Sequence, residues 1–375
     1  MISPAFFIEK LKKNGIDFFA GVPDSLLKSV CAFITDNFDA QHNIISANEG
    51  AAIGLAAGHY LATGKPACVY MQNSGEGNII NPLASLTDPE VYNIPVLLLI
   101  GWRGRPGIHD EPQHIKQGKV TLSLLETMGI QYAILAKEEG QAEKQIEEAF
   151  GVLNDKEVYA LIIEKDTFKS YQLINVEKNG LSLSREEAIQ TVAALIAEKD
   201  CIVSTTGMIS RELFEFRSSN GQSHERDFLT VGSMGHASQI ALGIALAKPE
   251  RRVWCFDGDG AVIMHMGSMA IIGTKSPKNL VHIVFNNGAH DSVGGQPTAG
   301  LKIDLPVIAK ASGYLHSFSV DNKEDLLGIL DQTKTLPGPI LIEIKVKKGN
   351  RKDLGRPTTT PAYNKALFMD YLKNE

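Results

Sequence analysis

The chain has 375 residues, 43% hydrophobic and 21% charged, with a formal net charge of −6. That length suits two domains of ordinary size, and the composition excludes disordered and fibrous classes. A slight acidic excess without a basic stripe argues against nucleic acid as a partner. The longest apolar run, around Ile94 to Trp102, contains a proline and is too short to cross a bilayer, and the N-terminus has no signal-peptide pattern, so a cytoplasmic protein without a membrane partner is expected. Cys31, Cys68, Cys201 and Cys255 form no C-x-x-C pair and lie in apolar contexts, which makes them small core residues in this reading.

In chain order, a helix over Pro4 to Asn14 starts after Ser3 and stops at Gly15. Strands follow near Phe18, Ile44, Val69, Leu98, Tyr132 and Ile162. The first empties into Gly21-Val22-Pro23-Asp24-Ser25-Leu26-Leu27, which is good turn sequence. The fourth, Val96 to Ile100, empties into Gly101 to His114, a loop carrying Arg103, Arg105, His109 and His114. Guanidinium groups pair bidentately with carboxylate or phosphonate, and imidazole moves protons near neutral pH, so this loop is expected to receive an anionic substrate. A solvated polar loop is the plainer alternative.

A polar stretch then ends at Asn179-Gly180, and Ser184-Arg185-Glu186-Glu187 forms a capping box. The expected division is a first domain over 1–168, a linker over 169–183 and a second domain over 184–375. Strands are expected near Ile202, Val253, Ile283, His316 and Ile342, with one helix from Met264 to Gly273. An offset of 185 positions lays Glu49–Gly75 onto Met234–Gly260 without a gap, matching Gly50 to Gly235, Ala52 to Ala237, Ala56 to Ala241, Gly58 to Gly243, Leu61 to Leu246 and Gly75 to Gly260. Small residues at helical spacing suit a helix packed tightly on a sheet. Each copy continues through a β-rich run into a glycine loop. The fold class is therefore α/β, with two doubly wound parallel-sheet domains of one topology.

Two strand ends in the second half carry the sharpest chemistry. Asp257-Gly258-Asp259-Gly260 follows Val253–Phe256, and Asn286-Asn287-Gly288 follows Val281–Phe285. With one helix and one turn between them, the two loops belong on neighbouring strands, where a carboxylate and an amide oxygen suit Mg2+ shared with a phosphate ligand. Either tripeptide alone is a common turn. In this order and spacing they resemble the signature of the thiamine diphosphate-dependent 2-oxo acid decarboxylase superfamily. The resemblance implies that Asp259, the Asn287 side chain and the Ala289 carbonyl bind Mg2+. Asn286 remains the alternative, because the spacing from Asp259 is one residue longer than in some relatives. It also implies that Ser74, Gly75, Gly207, Gly258, Gly260 and Ala261 line the cofactor and that Met234 props it in a bent conformation. Glu49 would hydrogen-bond the aminopyrimidine, which calls for a carboxyl in a mostly apolar setting, where its pKa can rise. Asp24 and Ser25 would face the substrate with His109 and His114, and Arg103, Arg105 and His290 would bind its anionic end, with Arg351, Lys352 and Arg356 as further candidates.

The resemblance narrows on Gly21–Leu27, Gln72–Asn78, Asp110–His114, Thr230–His236 and Asp353–Pro357. These segments are similar to the phosphonopyruvate decarboxylase family, which lacks the middle domain of larger relatives. This implies release of phosphonoacetaldehyde and carbon dioxide from 3-phosphonopyruvate in phosphonate biosynthesis, by a homodimer or higher homo-oligomer with interfacial active sites. The alternatives are a sulfopyruvate decarboxylase, an acetolactate-type carboligase, or a silent dinucleotide-binding module. For the last, the G-x-G-x-x-G turn is missing.

Overall fold

The computed structural model describes residues 1–175 and 179–373. Two compact units emerge, Met1–Val176 with Ser292–Gln296, and Glu177–Asp291 with Pro297–Glu375. Part of the expected 169–183 linker, residues 176–178, lies outside the described residues. Its earlier part packs on the first unit, where Asp36 accepts the Tyr171 hydroxyl and the amides of Ile174 and Asn175.

The first unit contains β1 (Phe19–Gly21), β2 (Asn43–Ile45), β3 (Ala67–Gln72), β4 (Val96–Gly101), β5 (Gln131–Ile134) and β6 (Tyr159–Ile163). The second contains β7 (Cys201–Ser204), β8 (Asp227–Leu229), β9 (Val253–Gly258), β10 (Leu280–Asn286), β11 (His316–Val320) and β12 (Ile340–Lys345). The sheet orders are β2-β1-β3-β4-β6-β5 and β11-β12-β10-β9-β7-β8. Read from the β8 edge, the second order repeats the first strand for strand, and all pairings are parallel.

Alternation puts successive side chains on opposite faces, and both faces are covered, so the central strands are apolar throughout. In the first sheet Tyr70, Leu97, Leu99 and Leu161 face one core, while Val69, Met71, Leu98 and Ile162 face the other. In the second, Trp254, Phe256 and Ile283 face one core and Cys255, Val284 and Leu341 the other. All four cysteines are free and buried. Among the described residues, no helix is long and apolar enough to cross a membrane.

Three local expectations need correction. The second sheet has a sixth strand, β8, whose three residues include the polar Asp227 and so give no apolar run to detect. The helix expected over Met264–Gly273 is two helices, Asp259–Met264 and Gly267–Lys275, because His265 leaves the helical region at φ −132°. The repeated small residues act only partly as sheet packing. Ala52, Ala56, Ala237 and Ala241 are buried under their helices, but Gly58 and Gly243 are exposed, as are Leu61 and Leu246 at 75% and 51%.

Candidate active site

Each sheet has one topological switch point, between β1 and β3 in the first and between β7 and β9 in the second. The chain leaves these neighbours in opposite directions, and it is at the carboxyl ends of such strands that doubly wound sheets place ligands. Asp24 and Gly75 follow β1 and β3 in the first unit, and Gly207 and Asp259 follow β7 and β9 in the second.

In the second unit, Asp259 opens the helix after β9 and is nearly sealed, at 3% exposure. Its Oδ2 accepts the Thr298 hydroxyl. Burial raises its pKa to about 6 against the opposing pull of Thr298 and of the backbone amides of Asp259, Gly260 and Asn287, and no basic side chain is among the groups that hold its charge. A buried carboxylate answered only by neutral donors fits a site completed by a cation. Gly300 is needed beside it, since a Cβ there would lie 2.5 Å from Asp259 Oδ2 and 2.6 Å from Asn286 Oδ1. Asn286 is anchored by its amide to the Gly300 carbonyl (2.9 Å) and to Glu343 Oε1 (2.7 Å). Asn287 is steered by Asp291 (2.6 Å), which Arg185 contacts at 3.2 Å while forming a bidentate pair with Glu212. The Asn287 Oδ1 receives the Ala289 amide at 3.0 Å. The donor set of Asp259 carboxylate, asparagine oxygens and nearby backbone carbonyls therefore fits Mg2+.

Around this turn the backbone is unusually bent. Gly232, Ser233 and Gly235 all have positive φ, at 73°, 46° and 84°, which lifts Met234 between them. Gly260 lies under the Met234 methyl and the His290 ring, because a Cβ on it would be 3.5 Å from Met234 Cε and 2.9 Å from His290 Cε1. Burial lowers the His290 pKa to about 4, although the residue as a whole is only half-buried. Gly207, at φ 97°, caps the helix after β7, while Gly258 precedes Asp259 and Ala261 lies two residues beyond it.

In the first unit, Glu49 opens the helix after β2, behind the capping side chain of Asn48. It is buried, and its Oε2 accepts the Asn78 amide at 2.7 Å, so the setting is part polar rather than apolar as the sequence suggested. Gly75 is required here, since a Cβ would meet Glu49 Oε1 at 2.5 Å. Asp24 is fully buried after β1, which raises its pKa, and it accepts Gln72 Nε2 (2.5 Å) and the Leu26 amide (2.8 Å). Ser74 closes that chain by donating to Gln72 Oε1.

The Gly101–His114 loop is only partly gathered. Arg103 reaches Asp110 through Nε and Nη2 and the Ser25 hydroxyl through Nη1 (2.7 Å). Burial works to raise the Asp110 pKa, but Arg103 and the Glu111 and Gly104 amides outweigh it and keep it below the ordinary carboxylate range. Arg105 instead turns to Glu164 and stacks on Trp102. His109 is exposed on the loop, whereas His114 is buried in the first turn of the helix Pro112–Thr127. Arg351 is engaged by Glu186, Glu215 and Asp353, so its charge is already answered.

Sequence reasoning missed Thr298, Gly300, Asp291 and Glu343 in the second unit, and in the first it drew on the Gln72–Asn78 segment without giving Gln72, Glu76 or Asn78 a role of its own. Glu343 had a signal, a lone carboxylate inside the apolar run Ile340–Ile344. Glu76 is 2% exposed, and burial raises its pKa to about 8 against hydrogen bonds from Thr121 and Gln117.

Two family models match this chain in order. Residues 4–124 match the thiamine pyrophosphate enzyme N-terminal TPP binding domain and residues 205–344 the C-terminal TPP binding domain. The chain is 35% identical to a phosphonopyruvate decarboxylase of Streptomyces viridochromogenes, over 96% of this chain and 93% of that one. It is 34% identical to a phosphonopyruvate decarboxylase of Streptomyces hygroscopicus, over 99% and 94%. A sulfopyruvate decarboxylase of Methanosarcina acetivorans is 31% identical, over 92% and 91%. The chain thus belongs to the thiamine pyrophosphate-dependent decarboxylase family.

Proposed function

We propose that this chain releases carbon dioxide and phosphonoacetaldehyde from 3-phosphonopyruvate, with thiamine diphosphate and Mg2+, in cytoplasmic phosphonate biosynthesis. The observation that carries this reading is the near full-length similarity to the two Streptomyces proteins. Bound thiamine diphosphate supplies the electron sink for the departing carbon dioxide. In this reading Asp259, the Asn287 Oδ1 and the Ala289 carbonyl hold the metal, and Gly207, Gly258, Gly260 and Ala261 let the backbone approach the diphosphate. Asn286 is assigned to the fold, since Glu343 and Gly300 engage its amide.

Glu49 exchanges a proton with the aminopyrimidine ring, with Asn78 orienting its carboxyl and Ser74 and Gly75 beside it, while Met234 supports the cofactor from the diphosphate side. Asp24, Ser25, His109 and His114 serve proton transfer on the substrate side. Arg103, Arg105 and His290 are assigned to the substrate's anionic terminus. With Asp110 and Ser25 engaged, Arg103 keeps two of its five N–H groups for a substrate oxyanion. The linker over 169–183 separates the pyrimidine-side domain from the diphosphate-side domain. The active form is a homodimer or higher homo-oligomer in which two subunits complete each site.

A second reading, sulfopyruvate decarboxylation, is favoured by the Methanosarcina relative. Aldehyde release from the two substrates by the purified protein with thiamine diphosphate and Mg2+ separates them. The expected result is a preference for phosphonopyruvate of about tenfold or more in kcat/KM. A preference for sulfopyruvate would replace the first reading with the second.

A further inference from the structure

One core face of the second unit, where Cys255, Val284 and Leu341 pack, also contains a line of polar side chains that the proposed chemistry does not use. Asp257 is the next-to-last residue of β9. In the β9–β10 register it faces Val284, and Cys255 faces His282, so Asp257 and His282 are diagonal neighbours on the same face. Asp257 Oδ2 lies 3.4 Å from His282 Nε2, and His282 Nδ1 lies 3.0 Å from the Tyr314 hydroxyl. All three are buried, at 1%, 1% and 3% exposure. The His282 Nδ1–Tyr314 contact is within hydrogen-bond range, whereas Asp257 Oδ2 and His282 Nε2 approach one another without forming a hydrogen bond, and neither atom has another partner among the described residues. The other Asp257 oxygen, Oδ1, accepts the backbone amide of Gly258 at 3.0 Å, so the line ends on the first peptide of the glycine turn.

We propose that Asp257, His282 and Tyr314 are positioning residues, a buried line of polar contacts that fixes the Gly258–Gly260 turn so that Asp259 meets the metal. The inference rests on the reading of Asp259 as the metal-side carboxylate. Three polar groups in an apolar core are costly, the more so where Asp257 Oδ2 and His282 Nε2 make only a 3.4 Å contact, and an apolar trio of similar shape would stabilise such a core at least as well. Their contribution is therefore sought in what they orient. The turn has little slack, because Gly300 packs against Asp259 so closely that even a Cβ would collide, and a small shift at Gly258 would misplace the carboxylate.

Cys255, Asp257 and His282 also lie within 4.8 Å of one another, a spacing that could suit a thiophilic metal ion. The positioning role is preferred because Asp257 Oδ1 holds the Gly258 amide and His282 Nδ1 meets the Tyr314 hydroxyl, which ties these side chains to the turn and to the core.

The test is Mg2+ affinity at saturating thiamine diphosphate, measured by calorimetry on folded protein, with thermal melts of the same samples. Asp257→Asn should weaken Mg2+ binding by about tenfold to a hundredfold, the range for groups that orient a ligand. Tyr314→Phe, which keeps its packing and decides the matter if Asp257→Asn misfolds, should weaken it by about threefold, with no further loss in the double variant than in Asp257→Asn alone. Cys255→Ala should stay within about twofold. A lowered melting temperature with unchanged Mg2+ affinity would overturn the inference, leaving the line a stability element. Stoichiometric zinc in the purified protein, lost in Cys255→Ala, would overturn it in favour of a metal site. Unchanged Mg2+ affinity in a parallel Asp259→Ala sample would instead bring down the reading of that carboxylate, and the inference with it.

Discussion

The two sheets share one strand order and one switch point, yet the loops leaving them carry different chemistry. In the first unit, Asp24, Glu49 and Glu76 are buried carboxyl groups met by side-chain amides, from Gln72, Asn78 and Gln117 respectively. Such pairs suit neutral or proton-sharing contacts with an organic ring and substrate. In the second unit, Asp259 is met by a hydroxyl and backbone amides, beside asparagine oxygens that are themselves braced by Glu343 and Asp291. That arrangement suits a hard cation. Topology fixes where ligands go, and a handful of side chains decides which ligand each half takes.

The division can be tested by breaking each half separately. If two subunits complete each site, unfolding and mixing inactive Glu49→Ala and Asp259→Ala chains should restore about a quarter of wild-type activity, because random heterodimers contain one intact and one doubly damaged site. No recovery, with heterodimers demonstrated and wild type refolding in parallel, would mean that each chain builds its own site. Glu49→Gln should keep thiamine diphosphate affinity within a few-fold but lower kcat by about 10²- to 10³-fold, since an amide cannot relay the proton. Exchange of the cofactor C2 proton at the wild-type rate, followed by NMR, would remove Glu49 from that role.

Smaller effects sharpen the first unit. Arg103→Ala should lower kcat/KM for phosphonopyruvate about tenfold more than for pyruvate, because only the former leaves an anion unpaired. Equal losses in parallel steady-state assays would reduce Arg103 to a brace for Asp110 and Ser25. Glu76 offers a stability test. Burial raises its folded pKa from 4.5 to about 8, so between those values the folded state holds a proton that the unfolded state has released. The stabilisation is complete below pH 4.5 and is lost as pH rises to about 8. Glu76→Gln should therefore come close to wild type in denaturant melts near pH 4.5 and exceed it by up to about 4 kcal/mol near pH 8. A pH-independent difference would mean that the carboxyl is not held neutral.

Much of this was legible in the sequence where the signal is local. Asp259 and the Asn286-Asn287 pair stand out because they end apolar strand runs, and the repeat exposed a shared topology through Ala52, Ala56, Ala237 and Ala241. Long-range partners were not legible. Thr298 reaches Asp259 across 39 positions and Glu343 reaches Asn286 across 57, and although Glu343 stands out in its apolar run, nothing there names its partner. The arginine loop shows the opposite failure. Its composition was informative, but Asp110 and Glu164, which draw Arg103 and Arg105 apart, are chosen by the folded backbone. The exposed Gly58, Leu61, Gly243 and Leu246 could not be separated from buried repeat positions without the helices' orientation.

The division of labour is tested most directly by calorimetric titration of thiamine diphosphate, with and without Mg2+, into wild type, Asp259→Ala and Glu49→Gln. Wild type and Glu49→Gln should bind only when Mg2+ is present, with affinities within about threefold of each other, while Asp259→Ala should lose the Mg2+-dependent component by about a hundredfold or more. Undiminished Mg2+-dependent binding by Asp259→Ala would contradict the assignment of the metal to the second unit.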